Sequence, residues 1–224
     1  LSCDEVNDVV VTTYEPTGEV FSNAFAFAAL RSDGSVVTWG RSIWGGDSSS
    51  VSSELTGGVV DVFSNSTAFA ALKDDGSLVT WGDSVYGGDS SSVSSALSSG
   101  VLRVFGNEYA MAALKEDGSV VTWGGATFGG DSSSVSSELS SGVADIFHTN
   151  QAFAALTADG GVIAWGDPAW GGDASLVASA LSSGVVEVFA TSHAFAALKS
   201  DGSVVVWGDT TKGGDASSVS SELT

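Results

Sequence analysis

Cysteine, basic side chains and long apolar runs are scarce in this 224-residue chain, and each scarcity excludes a class of protein. The one cysteine, Cys3, excludes an internal disulfide and a thiolate metal site, and leaves either a free thiol or a bond to another chain. Seven basic against 27 acidic side chains give a formal net charge of −20, which repels phosphate groups. We therefore expect neither nucleic acid nor a membrane surface as a partner, and no apolar run is long enough for membrane insertion.

Side chains that could carry catalysis are equally scarce. The two histidines, His148 and His193, have no further histidine or suitable cysteine to complete a metal site or a nucleophile and base pair. No serine stands in the Gly-x-Ser-x-Gly pattern of a nucleophile elbow. The sequence therefore predicts a protein that is not an enzyme and has no cofactor.

One repeated stretch dominates what the chain does contain. Residues 33–40, Asp-Gly-Ser-Val-Val-Thr-Trp-Gly, return in four further close copies. The tryptophans of these copies stand 42 residues apart, as Trp39, Trp81, Trp123, Trp165 and Trp207. A period of this size is typical of a β-propeller, a solenoid or another repeat array.

The second unit shows the plan that all five follow. Residues 59–63 and 77–81 predict strands, and the apolar run Ala-Phe-Ala-Ala-Leu at 68–72 predicts a strand buried on both faces. The alanines of that run indicate that another backbone approaches closely. The turn at 73–76 ends in Asp-Gly and joins the last two strands into a hairpin.

The second half of each unit has a different period. Asp89 follows a double glycine and has the character of a helix N-cap, while Val93 and Leu97 lie four residues apart on one helical face. This pattern predicts a helix of about two turns, which forms only when the apolar pair docks on the sheet. Each unit is thus expected to contain three strands and a short helix.

Together these motifs resemble the repeats of the regulator of chromosome condensation family. In the last unit the matching residues are 194–198, Asp201-Gly202, Trp207-Gly208 and Gly213-Gly214, and His193 stands where that family often has histidine. The resemblance covers residues 19–224 and implies one propeller blade per unit. The units here are shorter than the usual blade and have Gly-Gly-Asp and a helix where the family has Gly-Gln-Leu-Gly.

The founding member of that family exchanges guanine nucleotide on a small GTPase and binds chromatin. This chain has neither a wedge inserted between blades nor a basic arm, so the resemblance implies neither activity here. Other relatives with this repeat are interaction modules, and the resemblance implies that role.

We predict an all-β fold with short helices, in which five repeats close into a five-bladed, propeller-like toroid. An open solenoid or array is the alternative. Residues 1–18 are expected to form a separate N-terminal segment, with a strand at 8–14 that caps the array or adds a strand to it. The repeat domain, 19–224, then divides into units 19–58, 59–100, 101–142, 143–184 and 185–224.

Residues that recur in every unit are expected to build the fold. The five tryptophans predict packing in the core or between blades. Two aspartates per unit predict turns and helix caps, because no unit has the spacing of a calcium-binding loop, and calcium binding is the alternative. These aspartates are Asp33, Asp75, Asp117, Asp159 and Asp201 in the turns, and Asp47, Asp89, Asp131, Asp173 and Asp215 after the double glycine.

Positions that differ between otherwise uniform copies are the candidates for recognition, because they do not set the fold. One position, in the turn before the buried strand, carries Phe25, Thr67, Tyr109, Gln151 and His193. The other, in the loop before Gly-Gly-Asp, carries Trp44, Tyr86, Phe128, Trp170 and Lys212. Packing of the loop aromatics on a neighbouring blade is the alternative to binding.

The sequence therefore predicts a non-enzymatic binding or structural module of a secreted or cell-surface protein, with a protein or glycan partner. The extracellular location rests on the acidic, serine-rich and cysteine-poor composition and on Leu1 in place of an initiator methionine. One alternative is a scaffold or filament subunit that associates with itself. Another is a lectin that binds carbohydrate through the aromatic loop residues.

Overall fold

The computed structural model describes residues 18–222 of the chain. The predicted strand at 8–14 and Cys3 lie outside the described residues, and so does Leu223, the expected partner of Val219.

The described residues form five antiparallel sheets of three strands. Within each sheet the strands lie side by side in the order in which they occur along the chain. Each sheet corresponds to one repeat unit, so neighbouring strands are also neighbours in sequence. The strands are β1 (Glu19–Ser22), β2 (Ala26–Leu30), β3 (Val36–Gly40), β4 (Val59–Ser64), β5 (Ala68–Lys73), β6 (Leu78–Gly82), β7 (Val101–Gly106), β8 (Ala110–Lys115), β9 (Val120–Gly124), β10 (Val143–His148), β11 (Ala152–Thr157), β12 (Val162–Gly166), β13 (Val185–Ala190), β14 (Ala194–Lys199) and β15 (Val204–Gly208).

The hairpin of each unit follows the predicted plan. In the second unit all five residues of the Ala-Phe-Ala-Ala-Leu run are buried. The register places Phe69 opposite Trp81, and their rings stack with centroids 5.3 Å apart. The turn between the two strands is closed by Asp75, whose carboxylate accepts the backbone N–H of Ser77 at 2.9 Å.

Each sheet presents two apolar faces. We call the face that packs on the preceding unit the leading face, and the face that packs on the following unit the trailing face. In the second unit the leading face contains Val62, Phe69, Val79 and Trp81, and it packs on a trailing face of the first unit that contains Ala26, Ala28 and Leu30. Equivalent contacts join the second unit to the third, the third to the fourth, and the fourth to the fifth.

A hydrogen bond at each interface accompanies this packing. The indole N–H of Trp81 donates to the carbonyl of Gly45 in the first unit at 3.0 Å. The same bond recurs for Trp123, Trp165 and Trp207 with Gly87, Gly129 and Gly171, at 2.9, 3.1 and 3.0 Å. These four tryptophans are buried, so the predicted packing between units is confirmed for them.

The predicted two-turn helix was wrong. Residues after the double glycine form short 3-10 turns, because a segment of this length is too short to hold a regular α-helix. In the second unit the Ser94 hydroxyl donates to the Ser91 carbonyl at 2.9 Å, but the same turn forms in the fourth unit, where Ala178 stands in place of Ser94. The docking of the apolar pair is nevertheless seen, since Leu97 is buried and its carbonyl accepts the N–H of Leu78. The short helices and helical turns are Ser42–Trp44, Ser49–Val51, Ser84–Gly88, Ser91–Val93, Ala126–Phe128, Ser133–Val135, Glu138–Ser140, Pro168–Trp170, Ser175–Val177 and Ser217–Glu222.

The all-β, propeller-like fold of five three-stranded sheets is confirmed, but closure of the five units into a ring is not observed among the described residues. Closure would cover the leading face of the first unit with the fifth. Instead Val20, Phe27, Val37 and Trp39 are 59%, 44%, 37% and 46% exposed. Their counterparts in the second unit are 7% exposed or less. Within residues 18–222 the five units therefore form an open arc of propeller-like sheets, and in its open ends it matches the alternative.

Within residues 18–222 we find no helix that is both long and apolar enough to cross a membrane.

Candidate binding surface

The two variable positions come together in one row along the array. Within a unit the turn residue contacts the loop residue, as in the pairs Phe25–Trp44 and Tyr109–Phe128, whose ring centroids lie 3.9 and 4.7 Å apart. Between units the loop residue contacts the next turn residue, as Tyr86 does Tyr109 at 5.0 Å. We call the ten residues at these two positions the loop ladder; side-chain contacts join eight of them in three groups, and Thr67 and Gln151 lie between the groups.

At the fifth unit the loop ladder shows the same contacts between neighbouring units, but here they involve polar side chains. Trp170 of the fourth unit stacks on His193 of the fifth, with ring centroids 3.9 Å apart. His193 Nε2 lies 2.7 Å from the Nζ atom of Lys212, which also stands 5.8 Å above the Trp170 ring. Aromatic packing between units thus occurs, which was the alternative to binding. All residues of the loop ladder except one nevertheless remain at least partly exposed to solvent.

That exception is Thr67. Its side chain is 8% exposed, so it offers little surface to a partner. The Thr67 Oγ1 atom is a buried hydroxyl oxygen without a hydrogen-bond partner in the described part of the chain. Gln151, the turn residue of the fourth unit, is partly exposed and therefore remains available to a partner.

An amide or hydroxyl side chain in each unit aligns the turn with the loop, and it is buried in the second, third and fourth units. In the third unit Asn107 Oδ1 accepts the N–H groups of Tyr109 and Ala110 at 3.0 and 2.8 Å, while its Nδ2 donates to the carbonyl of Phe128 at 2.7 Å. Asn23 and Asn65 make the same contacts in the first two units. Residues 19 positions apart in the chain are therefore held side by side.

Threonine performs this task in the last two units. Thr149 Oγ1 donates to the carbonyl of Trp170 at 3.0 Å and accepts the N–H of Ala152 at 3.1 Å, and Thr191 is placed in the same way. The sequence analysis missed these positioning residues. Their signal is a small polar residue that recurs three positions before the buried strand and can accept two neighbouring N–H groups.

The loop ladder carries a cation near each end. Arg41 places its guanidinium carbon 3.7 Å from the centre of the Trp44 ring, in a cation–π contact. Lys212 at the other end is exposed and 3.9 Å from a carboxylate oxygen of Asp209. In the middle, burial and the neighbouring Glu108 raise the pKa of Tyr109, so its hydroxyl remains a neutral donor at physiological pH. The surface therefore offers aromatic area flanked by positive charge.

The aspartates of the hairpin turns bond those turns, as expected, whereas the aspartates after the double glycine stand one residue before the N-cap of the 3-10 turn and not at the N-cap itself. Asp33 and Asp47 each accept the backbone N–H of the residue two positions on, at 2.9 Å in both cases. The hydroxyl and N–H of Ser35 lower the pKa of Asp33, and Ser49 lowers that of Asp47 through its N–H first. Among residues 18–222 there is no group of three or more acidic, histidine or cysteine side chains that could hold a metal ion.

A groove of about 1220 Å³ lies between the third and fourth units and shares no residue with the loop ladder. Its lining includes Ala164 and Ala174, which stand where the earlier units have a threonine and serine pair. In the third unit that pair, Thr122 and Ser132, is joined by a hydrogen bond of 2.9 Å between the hydroxyls. The groove is a second surface feature that the repeat pattern did not reveal.

Comparison with known proteins defines the fold. No protein-family model matches the chain, and no curated protein sequence matches it. Human WBSCR16 is similar in structure, with 18% identity and a TM-score of 0.51 over 87% of this chain and 63% of that one.

Two yeast structures are similar to the same degree. Prp20p from Saccharomyces cerevisiae, studied for its binding to Gsp1p and histones, has 16% identity and a TM-score of 0.51 over 85% of this chain and 56% of that one. Yeast RCC1 (Prp20) bound to Kap60 has 17% identity and a TM-score of 0.50, over 84% and 56%. The chain thus spans 56% to 63% of the length of these structures. The predicted resemblance to propeller repeats of the regulator of chromosome condensation type is confirmed for the fold.

Proposed function

We propose that the protein is a non-enzymatic protein-interaction module and that the loop ladder is its binding surface. The observation that carries this proposal is the convergence of the variable residues. Eight of the ten positions that differ between uniform copies contact one another in three groups, and Asn and Thr side chains hold the turn and loop of each unit together. Aromatic side chains on a rigid scaffold are the usual anchors of protein interfaces.

The form of the loop ladder favours one extended partner over five equivalent small ones. Every unit contributes a different pair of residues, from Phe25 with Trp44 at one end to His193 with Lys212 at the other. A lectin with one site per unit would need similar pairs in all units. The structurally similar Prp20p supports a protein partner in general, because it is described with Gsp1p, histones and Kap60.

The proposal includes a location outside the cell or at its surface. Its support is the composition, which combines strong negative charge with one cysteine and many serines. Protease treatment of intact cells that express the protein tests this, since a surface protein is digested while the cells stay sealed.

Binding can be tested with substitutions at accessible ladder residues. The partner is captured from the native source on the immobilised full chain, purified and titrated against purified variants. Phe25→Ala and Tyr109→Ala are each expected to weaken binding at least tenfold, as anchor residues do. Val60→Ala, an equally exposed apolar change outside the ladder, is the matched control. Equal affinity of all four proteins would contradict the proposal, and binding of glycans that the same variants abolish would favour the lectin.

A further inference from the structure

We propose that copies of this chain associate head to tail, with the leading face of the first unit in one copy packed on the trailing face of the fifth unit in another. This surface is separate from the loop ladder, and the inference does not rest on the proposed function. It rests on four interfaces that already exist within the chain and on two faces of the same kind that are left open.

The leading face of the first unit is complete but uncovered. Phe27 and Trp39 stack with ring centroids 5.3 Å apart, as Phe69 and Trp81 do in the second unit. Yet Phe27 is 44% exposed, while Phe69 is fully buried. The four later tryptophans donate their indole N–H to a glycine of the preceding unit, whereas Trp39 has no such partner in residues 18–222.

The trailing face of the fifth unit is the complementary surface, and it is also exposed. Phe189 is 50% exposed, although its four counterparts pack against the cores between units. Those counterparts are Phe21, Phe63, Phe105 and Phe147.

Gly213 shows that the space for the incoming ring is also present. At three of the four internal interfaces the glycine lies directly against the next aromatic ring, so that a methyl group built on Gly45 would stand 2.5 Å from Phe69. Gly129 and Gly171 are placed in the same way against Phe153 and Phe195. At Gly213 the nearest atom to such a methyl group is 3.7 Å away and belongs to Ala194 of the same unit. In the pair of copies Phe27 fills this space and Trp39 donates to the Gly213 carbonyl.

Charge opposes the association of two copies. The chain carries a formal charge of −20, so two copies repel each other at long range. Four of the seven basic side chains, Arg31, Arg41, Lys199 and Lys212, belong to the first and fifth units. Added salt screens the remaining repulsion. We therefore expect association to strengthen between about 50 and 300 mM salt, opposite to the trend of an interface held by ion pairs.

An interface between two different faces is heterologous, and this makes a complementation test possible. The full chain is studied by sedimentation velocity over a range of concentrations, with Trp39→Ala and Phe189→Ser as variants of the two faces. We expect the wild-type mass to rise with concentration and each variant alone to sediment as a monomer. An equimolar mixture of the two variants retains one intact face of each kind, so its mass is expected to double and go no further.

Several results would overturn the proposal. A wild-type chain that stays monomeric at all concentrations excludes the interface. A variant that still self-associates shows that another surface is used. Melting temperatures of the dilute proteins provide the control for folding, because Trp39→Ala removes an exposed side chain. If it lowers the melting temperature as much as Trp123→Ala, the face is already covered within its own chain and a second copy has no access to it.

Discussion

The leading faces of the first and second units have nearly the same residues and different surroundings. Both contain a phenylalanine stacked on a tryptophan, with ring planes inclined by 17° in one and 18° in the other. Trp39 is nevertheless 46% exposed and Trp81 only 2%. The stacking is therefore set inside each unit by the hairpin register, whereas burial is supplied by the preceding unit.

This difference separates local from neighbour contributions to stability. The strand pairing, the Asp-Gly turn and the aromatic pair are present even in the first unit, whose leading face has no covering unit among residues 18–222. Burial of the tryptophan and its bond to a glycine carbonyl occur, among these residues, only where a preceding unit covers that face. The free energy of unfolding of such an array is approximately the sum of a contribution from within each unit and a contribution from each interface between adjacent units. The same substitution made in the first unit and in a later unit should therefore differ only by the contribution of the interface.

The largest expected difference is between Trp39→Ala and Trp123→Ala. Removing Trp123 leaves a cavity between two units and an unpaired Gly87 carbonyl, so we expect a loss of about 3–5 kcal/mol in the free energy of unfolding. Removing Trp39 should cost about 1 kcal/mol or less, as an exposed change does. Urea denaturation at low protein concentration measures both. Equal losses would mean that the preceding unit contributes nothing, and a Trp123→Ala variant that melts like wild type but loses a ligand would refute the packing role.

Much of this comparison could be anticipated from the sequence, because it depends on short-range patterns. The period of the tryptophans gave the number of units, and the buried Ala-Phe-Ala-Ala-Leu strand and its turn were read correctly. Whether the five units close into a ring could not be predicted from short-range sequence patterns. It depends on the small rotation between successive units, and residues at unit interfaces are the same in an arc and in a ring.

The helix and the loop ladder show two other limits. The spacing of Val93 and Leu97 indicated that both dock on the sheet, but it did not distinguish a continuous two-turn helix from a short 3-10 turn followed by further turns. The candidate residues themselves were found by their variation. Their convergence was not, because it depends on a bond from Asn107 to a loop 21 residues away.

A smaller difference is expected at this asparagine. Asn107 is 3% exposed and Asn23 is partly exposed, while both make the same bonds to turn and loop. Asn107→Ala should reduce the free energy of unfolding by about 1–3 kcal/mol, since it leaves buried N–H groups unpaired. Asn23→Ala should cost less, because water reaches the freed groups. Asn107→Thr is the control and should retain most of the stability, as Thr149 makes the equivalent bonds. Stability differences of equal size for Asn23 and Asn107 would contradict the distinction between end and interior.

The smallest effect is expected at the turn aspartates, where end and interior should behave alike. Asp33 and Asp117 both accept the N–H and the hydroxyl of the serine two positions on, at 2.9 and 2.6 Å in the first unit and 3.0 and 2.6 Å in the third. The serine hydroxyl first, and then its N–H, lower the pKa of each carboxyl below that of the unfolded chain. These bonds therefore stabilise the fold above the unfolded pKa of about 4, and the stability is lost as the pH falls through the lower folded value.

Asp33→Ala and Asp117→Ala test this directly. Each removes one negative charge from the same chain, so the change in long-range repulsion is matched between them. Both should lower stability slightly at pH 7 and should show a smaller loss than wild type on acidification from pH 5 to about 2.5. Urea denaturation at the two pH values provides the measurement. A markedly larger effect at Asp117 would mean that the neighbouring unit contributes to the turn, whereas equal effects restrict the neighbour's contribution to the apolar faces and the residues buried between them.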